Sequence, residues 1–233
     1  MISVIIPVYN QAQKLAKTLA SLNNQTILDF EVIVINDGSS DNPESVFTNF
    51  VKTNKINGSL IFLSQKNKGA PAARNRGFQE STGDYLFFCD ADAVLVPHAL
   101  ETMKDNLLFN PSASYVYSSF KWGKKLFKLH AFDEEKLKKE PYIHTMSLIK
   151  REDFPKEAWD ENIKKFQDWD LWLTMLKNGK KGLFIDQVLF YVSPGGTISS
   201  WLPSLAYRYF KFLPQVRKYN KALEIIKQKH GLV

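Results

Sequence analysis

Apolar residues in the first hundred positions alternate between two rhythms. Ser3–Val8 is a short β-rich run ending around Pro7 and reads as a first buried strand. From Gln11 to Leu22 the apolar positions fall at Leu15, Ala16, Leu19 and Leu22, the three- and four-residue steps of one helix face. Phe30–Ile35 (FEVIVI) predicts a second strand, closed by the dense turn signal Asn36-Asp37-Gly38-Ser39-Ser40. A helix over Ser45–Val51, a strand over Leu60–Leu63, a helix over Ala70–Gln79 and a strand over Tyr85–Cys89 follow. Alternation of this kind predicts an α/β domain whose largely parallel sheet is covered on both faces. Ligands on such sheets bind beyond the carboxyl ends of the strands. Here a polar cluster follows each strand: Tyr9-Asn10, Asp37-Gly38-Ser39, Asn67-Lys68-Gly69 and Asp90-Ala91-Asp92.

The second half is less regular. A helix is expected over Pro97–Leu108 and a strand over Tyr115–Phe120, followed by a basic stretch, Lys121–Lys139, without a clear period. DWDLWLTML (168–176) places Trp169, Trp172, Leu173 and Leu176 on a helical stripe behind an acidic first turn. A strand lies within Gly182–Val192, and Ser193-Pro194-Gly195-Gly196 is a loop. In the tail, Tyr209, Phe212, Val216, Tyr219, Leu223 and Ile226 recur at three- and four-residue steps among Arg208, Lys211, Lys218 and Lys221. Pro214 predicts a kink there, or two helices.

Length and composition, 233 residues at 44% hydrophobic, suit one large domain or two small lobes. A single cysteine, Cys89, excludes an internal disulfide and suits a reducing compartment. The start, MISVIIPVYN, lacks the basic region and cleavage site of a signal peptide, and no apolar run approaches the roughly 20 residues that span a bilayer. A cytoplasmic protein is expected, peripheral to the inner face of the membrane at most. The net charge of +7 is uneven: residues 121–151 carry +5 and 201–233 carry +6, while the remaining segments are each slightly acidic. These two segments are either solvated faces or contacts for an anionic partner, and the tail could meet a membrane, its own core or a second copy in a homodimer. Neither segment carries a nucleic-acid-binding module, so no nucleic-acid partner is expected.

Four stretches carry candidate chemistry. Asp90 and Asp92, two apart after a buried strand, would point to one side of an extended chain. Their repulsion is relieved by a hard divalent cation, Mg²⁺ or Mn²⁺; alternatively one caps a helix and the other is solvated. Asp37 could accept from a base N–H or a ribose hydroxyl, or bond its own turn. KGAPAARNRG (68–77) offers main-chain N–H groups at a helix start, with Lys68, Arg74 and Arg76, for phosphate. Asp168 and Asp170, beside Trp169 and Trp172, could cap a helix, or one could serve as a general base with a raised pKa.

Taken in order, SVIIPVYN (3–10), EVIVINDGSSD (31–41), NKGAPAARNRG (67–77), GDYLFFCDADAVLVP (83–97) and QDWDLWL (167–173) resemble the family 2 glycosyltransferases of the GT-A fold, over roughly residues 1–195. The resemblance implies a Rossmann-like central sheet, mixed but mostly parallel, flanked by helices and followed here by a helical tail. It implies a nucleotide-sugar half at 1–105, an acceptor and catalytic half at 106–200 of the same domain, and a basic amphipathic tail at 201–233. Pro7, Tyr9 and Asp37 would border the base, with Lys68 and Arg74 by the nucleotide. Asp90 would serve ribose and metal, and Asp92 would hold the Mg²⁺ or Mn²⁺. Asp168 would be the catalytic base, with Gln167 and Trp169 on the acceptor side.

The implied reaction is inverting transfer from a nucleotide-diphosphate sugar, first of all a UDP-sugar, to a glycan or lipid-linked acceptor in cell-surface polysaccharide synthesis. Two departures stand out: the family often has Glu where this chain has Gln167, and its late loop often carries His where this chain reads VSPGGTISS (192–200). The competing readings are a catalytically silent nucleotide-sugar-binding subunit, kept alive by Gln167, and a nucleotidyltransferase, whose Gly-rich basic first loop PVYNQAQKL does not match.

Overall fold

The computed structural model describes residues 1–195 and 212–232. Strands β1 (Ile2–Val8), β2 (Phe30–Asn36), β3 (Leu60–Ser64) and β4 (Tyr85–Phe88) pair in parallel in the order β3-β2-β1-β4. Helices α1 (Ala12–Asn23), α2 (Pro43–Thr53) and α3 (Ala70–Glu80) connect them. β1 and β2 are buried almost throughout, which is why both read as aliphatic runs rather than alternating patterns. Leu15, Leu19 and Leu22 of α1 pack with Val4 and Ile6 on one face, and Ala73 of α3 packs with Ile5 and Ile35 on the other. Gly77 allows α3 to lie flush on β1, because a Cβ there would fall 2.4 Å from Ile5 Cγ2.

The chain continues through β5 (Ala93–Leu95), α4 (Ala99–Phe109), β6 (Tyr115–Trp122), β7 (Lys125–Phe127), α5 (Glu134–Lys139), β8 (Leu148–Lys150), α6 (Gln167–Lys177), β9 (Gly182–Val192) and α7 (Pro214–Lys229). The sheet extends as β4-β8-β6-β9-β5, with β7 on β6. Both β4–β8 and β8–β6 are antiparallel, so β6 regains the direction of β4, and β9 pairs with β6 in parallel. The carboxyl ends of β1 to β4, β6 and β9 therefore share one edge. The longer ladders are parallel, and the short strands β5, β7 and β8 supply the antiparallel pairings that make the sheet mixed. The basic stretch resolves into the β6–β7 hairpin and α5, whose start is capped by Asp133 accepting from Lys136 N.

Of the tail, Arg208, Tyr209 and Lys211 lie outside the described residues. Pro214 does not interrupt the described helix but opens it, at the first helical turn where its missing N–H costs nothing. Val216 and Ile226 are wholly buried, and Ile226 joins the core formed by α3 and α6. No helix among the described residues is long and apolar enough to cross a membrane.

Candidate active site

Chain order reverses between β1 and β4, and a crevice at such a switch point is where open α/β sheets bind ligands. Asp90 and Asp92 stand there. They are not held as neighbours on an extended strand: β4 ends at Phe88, and Ala93 N donates to Asp90 O at 3.2 Å, closing a turn. The turn sends the carboxylates to different partners. Asp90 Oδ1 accepts from Arg74 Nη2 at 3.3 Å, and its Oδ2 lies 3.8 Å from His144 Nε2. Asp92, 8% exposed, faces Lys14 Nζ at 3.6 Å, and its carbonyl accepts from Ser193 N at 2.9 Å. Burial and then the Asp90 charge push the Asp92 carboxyl above the usual aspartate range, against the pull of Lys14.

Arg74 links this turn to α6. Buried on α3, it donates to Gln167 Oε1 at 2.9 Å, and its guanidinium lies 4.7 Å over the Trp159 ring. Among the described residues its buried Nε–H has no acceptor. Gln167 opens α6 after Phe166, which adopts a left-handed φ of 59° uncommon for a bulky side chain. Asp168 comes next, and its Oδ1 accepts from Trp169 N at 2.9 Å. Desolvation raises its pKa, opposed by His144, the Trp169 N–H and Arg74, and assisted by Asp90. A carboxylate poised in this way takes a proton more readily than a solvated one.

His144 is the site residue that the sequence reading missed. Its Nδ1 accepts from Met146 N at 3.1 Å, which leaves Nε2 to carry a proton toward Asp90. Its ring packs on Phe120 and Phe190. A lone His before a three-residue strand has no local signature. Its pertinence follows from β8 running antiparallel, which puts the residues before it at the carboxyl edge of the sheet.

The remaining predicted residues divide. Pro7 lies in β1 opposite Ile35, and Tyr9 is exposed at its end beside an open depression of about 410 Å³ that Asn10, Gln11, Lys14, Asp41 and Gly195 also line. Asp37 is buried and accepts from Gln65 Nε2 (2.9 Å), Lys68 N (2.9 Å) and Gly69 N (2.8 Å). It thus ties the 65–69 loop to its own turn, where Gly38 is required: φ is 77° and a Cβ would meet Asn67 N at 2.9 Å. The Lys68 side chain is exposed.

Trp169 needs correction as an acceptor-side residue. It is wholly buried and its indole donates to Leu137 O, so it builds the core under α6. Asp170 likewise turns away from the crevice, buried against Lys229 Nζ and His230 Nε2, each at 2.8 Å.

Among the described residues no three His, Cys, Asp or Glu side chains converge as a cage for a metal ion. Asp90 and Asp92 are two hard oxygen donors whose mutual repulsion a cation would relieve. That set fits Mg²⁺ or Mn²⁺, which complete their shells with water and substrate phosphate.

Comparison with known proteins finds the chain's relatives among the glycosyltransferases. The chain is 27% identical over 203 residues to an uncharacterized glycosyltransferase, MJ1057, of Methanocaldococcus jannaschii, covering 81% of this chain and 69% of that one. Its fold matches the crystal structure of residues 1–349 of Staphylococcus aureus TarS with a TM-score of 0.71 at 18% identity, over 82% of this chain and 60% of that one. The mannosyltransferase PcManGT of Pyrobaculum calidifontis matches with a TM-score of 0.71 at 18% identity, over 99% of this chain and 69% of that protein. This is the GT-A fold. The model of glycosyl transferase family 2 matches residues 3–159, which hold the Asp90–Asp92 turn, Arg74 and Asp37, and the chain belongs to that family.

Proposed function

We propose that the chain is an inverting glycosyltransferase that moves a sugar from a nucleotide-diphosphate sugar to an acceptor hydroxyl. The observation that carries this is the Arg74 bridge, which joins the aspartate turn after β4 to the start of α6, where Asp168 stands with a raised pKa. In this reading residues 1–105 hold the donor, 106–200 the acceptor. Pro7, Tyr9 and Asp37 border the base, with Lys68 beside the nucleotide. The Arg74 guanidinium and the Lys14 ammonium supply positive charge for the diphosphate. A Mg²⁺ or Mn²⁺ held by Asp92 with Asp90 would neutralise charge developing on the leaving group.

Asp168 takes the proton of the acceptor hydroxyl as its oxygen bonds to the anomeric carbon. The bond from that carbon to the diphosphate oxygen breaks on the opposite face, so the configuration inverts. Preorganised charge around the leaving group lowers the barrier without reorganising during the step. TarS is described in complex with UDP and PcManGT with GDP-Man and Mn²⁺, which supports a nucleotide sugar and a divalent ion here. A UDP-sugar is the first donor to try. The acceptor in this reading is a glycan, free or lipid-linked, in polysaccharide synthesis, and a lipid-linked one would bring the protein to the inner face of the membrane.

Calorimetry with UDP and GDP, with and without Mn²⁺, tests the donor side. Binding should strengthen with the ion in the parent chain and lose that dependence in Asp92→Ala. Metal-independent binding of equal strength in both proteins removes the aspartate turn from the donor site.

A further inference from the structure

The geometry points to the chemistry of the acceptor: the β6–β7 hairpin is the landing surface for a negatively charged glycan, one bearing phosphate or carboxylate groups near the reacting hydroxyl. This rests on the transferase reading above and adds an acceptor class to it.

Position comes from the ladder. Gly123 N donates to Val192 O at 3.0 Å, Val192 pairs with Ala93 of β5, and Ser193 N donates to Asp92 O. The hairpin, the end of β9 and the Asp92 turn are thus three neighbouring strands. At about 4.8 Å per strand spacing the hairpin stands about 10 Å from Asp92. Because β6 runs in the direction of β4, its tip lies at the same edge of the sheet as Asp90.

Residues 121–128 contain Lys121, Lys124, Lys125 and Lys128 and no carboxylate. Nearby, Lys136 and Lys138 of α5 are paired with Glu140 and Glu135. Among the described residues the hairpin lysines have no such carboxylate; Lys121 and Lys125 lie instead over the rings of Tyr191 and Phe127, at 5.7 and 4.7 Å. Phe127, Phe120 and Phe190 stack across three strands with interplanar angles of 3° and 5°, and His144 packs on this ladder 3.8 Å from Asp90.

Strand alternation puts Trp122 and Lys125 on the same face as that ladder, one pleat further out. A half-buried indole offers a flat apolar surface to the C–H face of a sugar ring, and ammonium groups offer point charges to its acids. Lys121 and Lys128 alternate to the other face, and a neutral glycan would leave Lys125, with Lys124 at the turn beside it, unanswered. A membrane surface would have no use for an aromatic path leading into the crevice.

The test compares binding of a fluorescent sulfated dextran oligosaccharide, the uncharged dextran of the same length, and phosphatidylglycerol vesicles. The proteins are the parent chain, Lys124→Glu/Lys125→Glu, and a control, Lys218→Glu/Lys221→Glu, on the exposed face of α7. The charged oligosaccharide should bind in a salt-dependent way, about tenfold more weakly to the hairpin variant and nearly unchanged to the control, with the uncharged dextran silent. Equal losses in both variants, or a hairpin effect seen with vesicles and not with the oligosaccharide, overturns the proposal. UDP and GDP binding is measured alongside. If no protein binds a nucleotide while the hairpin effect persists, the donor reading fails and the glycan surface stands.

Discussion

Arg74 gives one arm of its guanidinium to Gln167, at 2.9 Å, while the other arm reaches Asp90. The guanidinium carbon stands 4.7 Å from the Trp159 ring centroid, and both bonds leave one rigid planar group. A lysine cannot reproduce that fork. Arg74→Lys should lower kcat/KM by about 10- to 100-fold, or about 1.4 to 2.8 kcal/mol, with both donor and acceptor KM affected. Steady-state kinetics with each substrate varied in turn checks this. A change confined to the donor KM would mean that the bond to Gln167 has no part in the acceptor half.

Asp168 must be ionised to accept a proton, and burial raises its pKa. Activity should therefore climb with pH through an acidic limb placed above the ordinary aspartate range. Asp168→Asn should retain nucleotide binding, lose transfer by at least about 100-fold, and show no such limb in the residual rate. Residual activity with the parent's pH profile would assign the limb elsewhere.

Asp92 also has a raised pKa, which reverses the usual carboxylate effect on stability. The folded protein favours the protonated form, so this contribution is fully present below the unfolded aspartate pKa and is lost as pH rises through the folded value. Asp92→Asn should consequently raise Tm at pH 7, by roughly 2–4 °C for each kcal/mol relieved. Its advantage should fade as the pH falls and the parent carboxyl protonates. Differential scanning calorimetry between pH 3 and 8 reads the trend, and a lower Tm at pH 7 would show that the Lys14 contact outweighs burial.

The tail helix is pinned by charge. Lys229 bridges Asp160 at 2.7 Å and buried Asp170 at 2.8 Å, and His230 meets Asp170 from the other side. Removing one member of a buried pair leaves the others uncompensated, so Asp170→Ala should cost about 3–5 kcal/mol and speed hydrogen exchange along α7. The Lys229 hydrogen bond lowers the Asp160 pKa, so that share of the stability is present above the unfolded aspartate pKa and lost as pH falls through the lowered value. Against partial burial, the bonds to Asp160 and Asp170 raise Lys229, whose share is lost only as pH rises past the ordinary lysine range. The clamp should hold across the neutral range and loosen toward acid. Unchanged exchange in α7 at low pH would place its hold in Val216 and Ile226 alone.

The aliphatic runs of β1 and β2 were legible because both faces of those strands are covered, and the polar clusters after them mark the crevice. β5 and β8 were not legible: three residues are too few for any period, and both owe their pairing to distant strands. The Asp90–Asp92 pair was visible in the sequence, but the turn that gives its carboxylates different partners, closed by Ala93 N on Asp90 O, was not. Trp169 illustrates the opposite failure. Its place on the stripe with Trp172, Leu173 and Leu176 already marked it as core, against the acceptor-side place that the family resemblance implied. His144 and the Asp170 clamp depend on contacts between residues far apart in the chain.

The short strand β8 has a consequence beyond its size. By reversing direction twice, from β4 to β8 and from β8 to β6, the sheet delivers two sets of loops to one rim while keeping them on separate strands. The set after β1 to β4 and the set formed by the hairpin and the end of β9 meet through main-chain bonds, such as Ser193 N to Asp92 O, which do not depend on the side chains either set carries. With donor and acceptor chemistry divided as proposed, what is transferred and what receives it can drift independently through evolution, provided that the Arg74–Gln167 link between the two sides is kept.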